Sequence, residues 1–128
     1  MELNWNLLFV LAIIVHGIGH SLGLMHTTNL VTLSGMPTNE SWLLAGQLKL
    51  DKMVIQLVSV LWFVAIAGFL LVAGAFWFDL SLWKGAALAM VVLSVMLFGI
   101  WFTSFPLNTQ IGAAIGNLVV LAGLLMTN

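Results

Sequence analysis

Three long stretches without a charged residue set the pattern of the chain: residues 3–39, 53–78 and 85–128. A helix of about 20 residues is enough to cross the roughly 30 Å hydrocarbon core of a bilayer. The last stretch is too long for one crossing, because as a single helix it would extend about 66 Å. Pro106, in the polar segment 105–110, is the natural place for it to divide, since proline interrupts a helix.

The pattern therefore predicts an all-α integral membrane protein, a bundle of four transmembrane helices. The spans are expected at residues 5–25, 53–78, 85–104 and 111–126, in a single domain covering 1–128. No strict alternation of apolar and polar residues indicates strands. The long first loop contains an apolar segment at 40–50, which predicts a short interfacial helix with Thr38 or Asn39 as its cap.

The composition supports a membrane class and excludes several functions. Hydrophobic residues make up 62% and charged residues 5% of the chain, against roughly 25% charged in ordinary soluble domains. The net charge of −1 with three basic residues argues against nucleic acid as a partner. The absence of cysteine excludes disulfides, zinc–thiolate sites, iron–sulfur clusters and thiol catalysis.

The orientation depends on three lysines. Lys49 and Lys52 share one side of the predicted membrane, whereas Lys84 lies on the other side with the α-amino group. Basic residues favour the cytoplasmic side, so the first loop is expected in the cytoplasm and both termini outside. The segment before the first loop lacks a basic start and a small-residue cleavage site, and we interpret it as a retained helix rather than a signal peptide.

Polar residues in the predicted spans fall in one thin layer. At 1.5 Å per residue, His16 and Ser94 lie about 16 Å from one face of the membrane. His20, Trp62 and Asn117 come out near 22 Å by the same count. Polar side chains in hydrocarbon are costly and tend to face the bundle interior. The layer is therefore a candidate cofactor site, and the alternative is that these side chains only hold the helices together.

His16 and His20 are four residues apart and so share one face of the first helix. Helices that bind metals use this spacing, although the sequence lacks the glutamate that serves as the base in zinc peptidases. Further ligands for a metal would come from the first loop. The predicted metal set is His20, His26, Glu40 and Asp51.

A tetrapyrrole or a quinone is the other cofactor that the layer could hold. Ala12-x-x-x-His16 resembles the stretch of bacterial antenna helices in which histidine ligates the magnesium of a chlorophyll. Two histidines on one helix face cannot ligate both sides of one haem, so a tetrapyrrole would need a single axial histidine or a dimer. The eight phenylalanines and six tryptophans would suit a pigment or quinone pocket equally well.

Small residues recur at the helix-packing spacing of four. Gly19 and Gly23 in the first helix, and Gly112 and Gly116 in the last, form small-x-x-x-small faces that let helices pack closely, either within one chain or between chains. Alanine is expected to be tolerated at Gly19 and Gly116, and leucine is not.

The chain as a whole resembles small bacterial four-span membrane proteins. The resemblance is carried by a first helix with His16-Gly17, His20 and Gly23, and by the step from Gly112 to Asn117 in the last helix. It implies a four-span topology and the bacterial inner membrane, and no particular activity.

These observations lead to one expected function and two alternatives. The chain is expected to be an accessory subunit or oligomer-forming protein, more an interaction protein than an enzyme, whose polar layer binds a metal, tetrapyrrole or quinone. Its partners would be the lipid bilayer and further copies or a larger membrane complex. The alternatives are a small transporter or proton conductor using His16, His20 and His26, and an enzyme acting on lipid or quinone.

Overall fold

The computed structural model describes residues 4–31 and 34–127. Every regular element in these ranges is helical. Four helical segments are long and apolar enough to cross a membrane: Trp5–Thr27, Lys52–Trp77, Trp83–Ile100 and Leu107–Met126. The predicted all-α architecture with four such helices is thereby confirmed. Met1, whose amino group entered the orientation argument, lies outside the described residues.

The first two spans are each built from two helices that meet at a tight turn. The first contains α1 (Trp5–Gly19) and α2 (Ser21–Thr27), and the second contains α3 (Lys52–Ser59) and α4 (Leu61–Trp77). The third and fourth spans are single helices, α5 (Trp83–Ile100) and α6 (Leu107–Met126).

The third span ends earlier and the fourth begins earlier than the sequence predicts. The turn of 3₁₀-helix Phe102–Ser104 follows α5, and α6 begins immediately after Pro106. Proline lacks an N–H but loses nothing at the start of a helix, where that donor has no intrahelical partner. The break therefore lies before the proline rather than after it.

The short helix predicted in the first loop is present as a π-helix, Trp42–Gln47. Its cap is Ser41, whose Oγ accepts the N–H of Leu44 at 3.0 Å, and not Thr38 or Asn39. The loop also covers the carboxyl end of α5. Ser41 Oγ donates to the carbonyl of Ile100 and Trp42 Nε1 donates to that of Gly99, both at 2.6 Å. Carbonyl groups that a helix end leaves unpaired thus gain partners from the loop.

The four spans form a ring in chain order, since each packs on the next and α1 also contacts α6. The interior contains two apolar clusters. Ile13 and Val91 belong to one, and Leu97 and Trp62 belong to the other. On α5 the buried Ser94 lies between Val91 and Leu97. The polar layer therefore separates two apolar halves of the core.

Candidate functional site

The polar layer begins at the turn between α1 and α2. The backbone N–H of His20 bonds the carbonyl of Gly17 at 3.1 Å. His20 Nδ1 lies 2.9 Å from the carbonyl oxygen of His16, one helical turn earlier. A carbonyl oxygen only accepts hydrogen bonds. His20 therefore carries a proton on Nδ1.

The other nitrogen of this imidazole reaches across the bundle. His20 Nε2 lies 2.9 Å from Ser94 Oγ on α5, which is on the opposite side of the ring of spans. Both side chains are almost completely enclosed, at 2% exposure for His20 and 0% for Ser94. This bond joins two spans that are not neighbours in the ring.

Asn117 on α6 completes the layer. Its Nδ2 donates to Ser94 Oγ at 3.0 Å, and its Oδ1 lies 2.9 Å from His16 Nε2. The four side chains and the His16 carbonyl form a closed circuit of hydrogen bonds through three of the four spans. The circuit brings together His16, His20, Ser94 and Asn117.

The proton positions in this circuit follow from one condition, that His20 is neutral. The carboxylates Glu40, Asp51 and Asp79 of the described chain lie outside the helices, and an unpaired buried charge is very costly. A neutral His20 with a proton on Nδ1 has a bare Nε2, so Ser94 must donate its single hydroxyl proton to it. The amide of Asn117 must then donate to Ser94, and its oxygen faces His16.

His16 must therefore donate from Nε2 to the Asn117 oxygen. In the neutral form its Nδ1 is then a bare lone pair. Among the described residues this atom has no hydrogen-bond partner. The direction of every bond in the circuit is thus fixed, and one acceptor remains unused.

The second span contributes aromatic rings instead of hydrogen bonds. The ring of Phe69 lies 4.7 Å from that of His16 and 5.2 Å from that of His20 between centroids. Trp62 lies 5.8 Å from His20, but its indole N–H has no partner in the described part of the chain, and neither has that of Trp101. Trp62 therefore contacts the layer as an apolar wall. Trp101 is fully buried.

The depth count from the sequence predicts which side chains of the layer lie at the same level, and the structure contradicts two of these predicted pairs. The depth count places His16 beside Ser94 and His20 beside Asn117, whereas His16 bonds Asn117 and His20 bonds Ser94. The count treats each helix as upright and continuous. The structure has a turn at His20, and the end of α5 and the start of α6 each lie four residues before the predicted position, so the relative levels of the side chains differ from the count.

The predicted metal set is not assembled. Both nitrogens of His20 are in the circuit, and His26 Nε2 donates to the carbonyls of Thr38 and Ser104 at 2.7 and 3.1 Å. The Asp51 carboxylate caps α3 by accepting the N–H of Met53 at 2.8 Å, and Glu40 is exposed. In residues 4–31 and 34–127, no group of three histidine or acidic side chains could hold a metal ion.

A groove of 510 Å³ runs between the first span and α6, alongside the layer. It is lined by His16 and by small residues of both spans, among others. These small residues are Ala12, Gly19, Gly112, Ala113 and Gly116. A Cβ atom at Gly19 or Gly112 would meet nothing within 4 Å. These two glycines therefore open space within this chain, and their role in helix packing stays a prediction for contacts between chains.

The other two glycines of the small-x-x-x-small faces do make close contacts. A Cβ atom at Gly116 would lie 2.6 Å from Cε1 of His16, and one at Gly23 would lie 2.7 Å from Cζ3 of Trp62. These distances are well inside van der Waals contact. Alanine at Gly116 must therefore displace the His16 ring, contrary to the tolerance expected from the sequence.

Two parts of the site have no signal in the sequence. The partner of His20 Nδ1 is a backbone carbonyl, which a turn inside an apolar run exposes without any characteristic residue. The groove exists because two glycines of the same motif face empty space while the other two face rings. The sequence motif is the same in both cases.

No family model, no curated protein and no solved structure matches this chain.

Proposed function

We propose that this chain is a small integral membrane protein that binds an apolar ligand in the groove between the first span and α6. The observation that carries the proposal is the unused acceptor of His16: this residue lines the groove, and its Nδ1 is the atom nearest to the position that a Cβ atom of Gly116, another lining residue, would take. A rigid polar group beside a mostly apolar cavity is the usual arrangement of a small-molecule site.

The small residues that line the groove also support a ligand site. Both walls carry glycine and alanine, whereas the larger side chains Leu22, Phe98 and Val119 also border it. Helix packing alone would favour closing such a space, because a cavity forfeits dispersion contacts. The small residues therefore have a purpose if a ligand occupies the space between them.

The surroundings of the bundle are part of the proposal. We propose that the chain lies in the bacterial inner membrane with the first loop in the cytoplasm and both ends of the chain outside. Many large apolar side chains point outward on all four spans, and lipid would cover them. In this setting the protein acts as an accessory subunit, alone, as an oligomer or within a larger complex, and supplies the bound ligand to its partner.

Proton conduction through His16, His20 and His26 has less support. The first two histidines share the circuit, but Trp62 and Phe105 lie between them and His26. The ring of Trp62 is 5.8 Å from that of His20, and the ring of Phe105 is 5.6 Å from that of His26. A proton path needs hydrogen-bonding groups, and these two rings offer no acceptor.

The proposal is tested by filling the groove. Leucine at Gly112 would place its side chain in the groove, since Gly112 lines it and a Cβ atom there has nothing within 4 Å. The matched control is leucine at Gly74 in α4, which also has open space and does not line the groove. Each protein would be purified from native membranes in mild detergent, and its bound small molecules measured by organic extraction, mass spectrometry, absorption and metal analysis.

We expect one compound to copurify with the wild-type protein and with Gly74→Leu, and to be lost from Gly112→Leu. Equal content in all three proteins would contradict the proposal. So would a wild-type protein that carries only bulk phospholipid.

A further inference from the structure

We infer that the ligand of this groove is a hydrogen-bond donor, and specifically a hydroquinone: a flat benzene ring with free hydroxyl groups and apolar substituents. This inference rests on the proposed function and names the class of molecule that the groove binds. It selects the reduced, hydroxyl-bearing form over the oxidised quinone, which has carbonyl oxygens only.

The hydrogen bonds of the circuit all run in one fixed direction. The His16 carbonyl accepts from His20 Nδ1 at 2.9 Å, and this single contact sets the sense of every later bond. Ser94 has one proton to donate and gives it to His20. Asn117 consequently presents its oxygen to His16, which must give up the proton on Nε2. A ligand at the remaining nitrogen meets a lone pair and must bring its own proton.

Reversing the direction of these hydrogen bonds is unfavourable. If His16 were to carry its proton on Nδ1, the amide of Asn117 would have to turn and present its oxygen to Ser94. Ser94 would then donate to Asn117 and have no proton for His20. The bare Nε2 of His20 would face an oxygen lone pair in a site that is 2% exposed. Reversal therefore leaves a buried acceptor unpaired or requires a buried cation, and both are unfavourable.

The shape of the ligand follows from the groove. The groove lies between the first span and α6, with Gly19 on one side and Gly112 on the other and with Phe98 at its border. A flat ring needs less width between two helices than a branched aliphatic group does, and it can stack on an aromatic side chain such as Phe98. Apolar substituents of the ring can continue past Val15 and Ile115 towards the lipid, since both side chains are largely exposed. A quinone of the same shape would place a carbonyl oxygen against the His16 lone pair. Two acceptors cannot bond each other.

The test compares four probes on protein in lipid nanodiscs, with empty nanodiscs as the blank for partition into lipid. The probes are a decyl-substituted benzohydroquinone, its dimethyl ether, the corresponding quinone and an aliphatic alcohol of similar length. One net hydrogen bond makes the hydroquinone bind on the order of tenfold more tightly than its ether or its quinone. The alcohol has a donor but no ring and is expected to bind more weakly than the hydroquinone.

A spectroscopic measurement makes the same distinction without a variant. The ¹⁵N resonances of His16 should show a protonated Nε2 and an unprotonated Nδ1. Hydroquinone should shift the Nδ1 resonance, and the dimethyl ether should leave it in place. A proton on Nδ1 of the ligand-free protein would overturn the inference directly.

Variants connect binding to this atom. His16→Leu should lose the preference for hydroquinone over its ether, and Gly112→Leu should lose binding of both. If the ether, the quinone or the alcohol binds wild-type protein as tightly as the hydroquinone, the inference is wrong while the groove still binds ligands. If none of the probes binds above the blank and no compound copurifies, the proposed function fails as well.

Discussion

Substitution of Gly116 by alanine is the most direct test of the site geometry. The new Cβ atom would overlap Nδ1 of His16 and lie 2.6 Å from its Cε1 and 2.8 Å from its Cγ, so the ring would have to move by at least about 1 Å to regain van der Waals distance. The ring also packs edge to face against Phe69, with 4.7 Å between centroids. A shift of about 1 Å would lengthen the 2.9 Å contact to Asn117 beyond hydrogen-bonding range.

The cost can be estimated from what the shift leaves unpaired. Loss of that bond leaves a buried donor and acceptor without partners, at about 1–3 kcal/mol. Alanine favours the helix over glycine by up to about 1 kcal/mol, which would mask part of the loss. Gly112→Ala is the matched control, one turn earlier on the same helix, and gains the same propensity with nothing to displace. We expect Gly116→Ala to be less stable than Gly112→Ala by about 1–3 kcal/mol.

The assay is reversible unfolding in mixed micelles of increasing SDS fraction, followed by tryptophan fluorescence. A second comparison uses the background of His16→Ala, in which the ring is absent. There the two alanine variants should have equal stability, because a double-mutant cycle isolates the contact between the two positions. Equal stability of Gly116→Ala and Gly112→Ala in the wild-type background would refute the placement of the imidazole against α6.

Three further predictions follow from other contacts. Gly23→Ala should destabilise the protein by about 1–3 kcal/mol, because its Cβ atom would overlap a buried indole, and thermal unfolding in detergent measures this. Ser94→Ala should cost a similar amount, about 1–3 kcal/mol in the same assay, since it leaves two buried partners unpaired; an unchanged midpoint would contradict the circuit. Cysteines at Gly35 and Ser81 should react with an impermeant thiol reagent from opposite sides of the membrane, and labelling from one side would exclude the four-span topology.

Much of the fold follows from the distribution of charge and proline. Charged residues border the long apolar stretches, and Pro106 marks the only division inside the last one, so the number of spans could be predicted. The ends of the helices could not, because they depend on partners elsewhere in the chain. Ile100 ends α5 where the first loop supplies hydrogen bonds to its carbonyls, and no local residue type signals this.

The members of the polar layer could also be predicted, but not their arrangement. Polar side chains in an apolar helix are costly on its lipid-facing side and so tend to face the bundle interior. For this reason His16, His20, Ser94 and Asn117 meet. Which of them bond depends on helix tilt and on the turn at His20, both of which come from packing. Trp62 shows the limit of this reasoning: it lies at the right level, yet it presents its ring and not its N–H to the layer.

The contacts between the first loop and α5 also bear on the order in which the protein is made. In the proposed membrane topology, Ser41 and Trp42 leave the ribosome well before Gly99 and Ile100, so their side chains reach the membrane surface before α5 does. Hydrogen-bond donors for the last carbonyls of α5 are therefore present as soon as α5 is synthesised, before α6 is made. The spans can then be inserted one at a time, and the hydrogen bonds from the first loop determine where the third span ends.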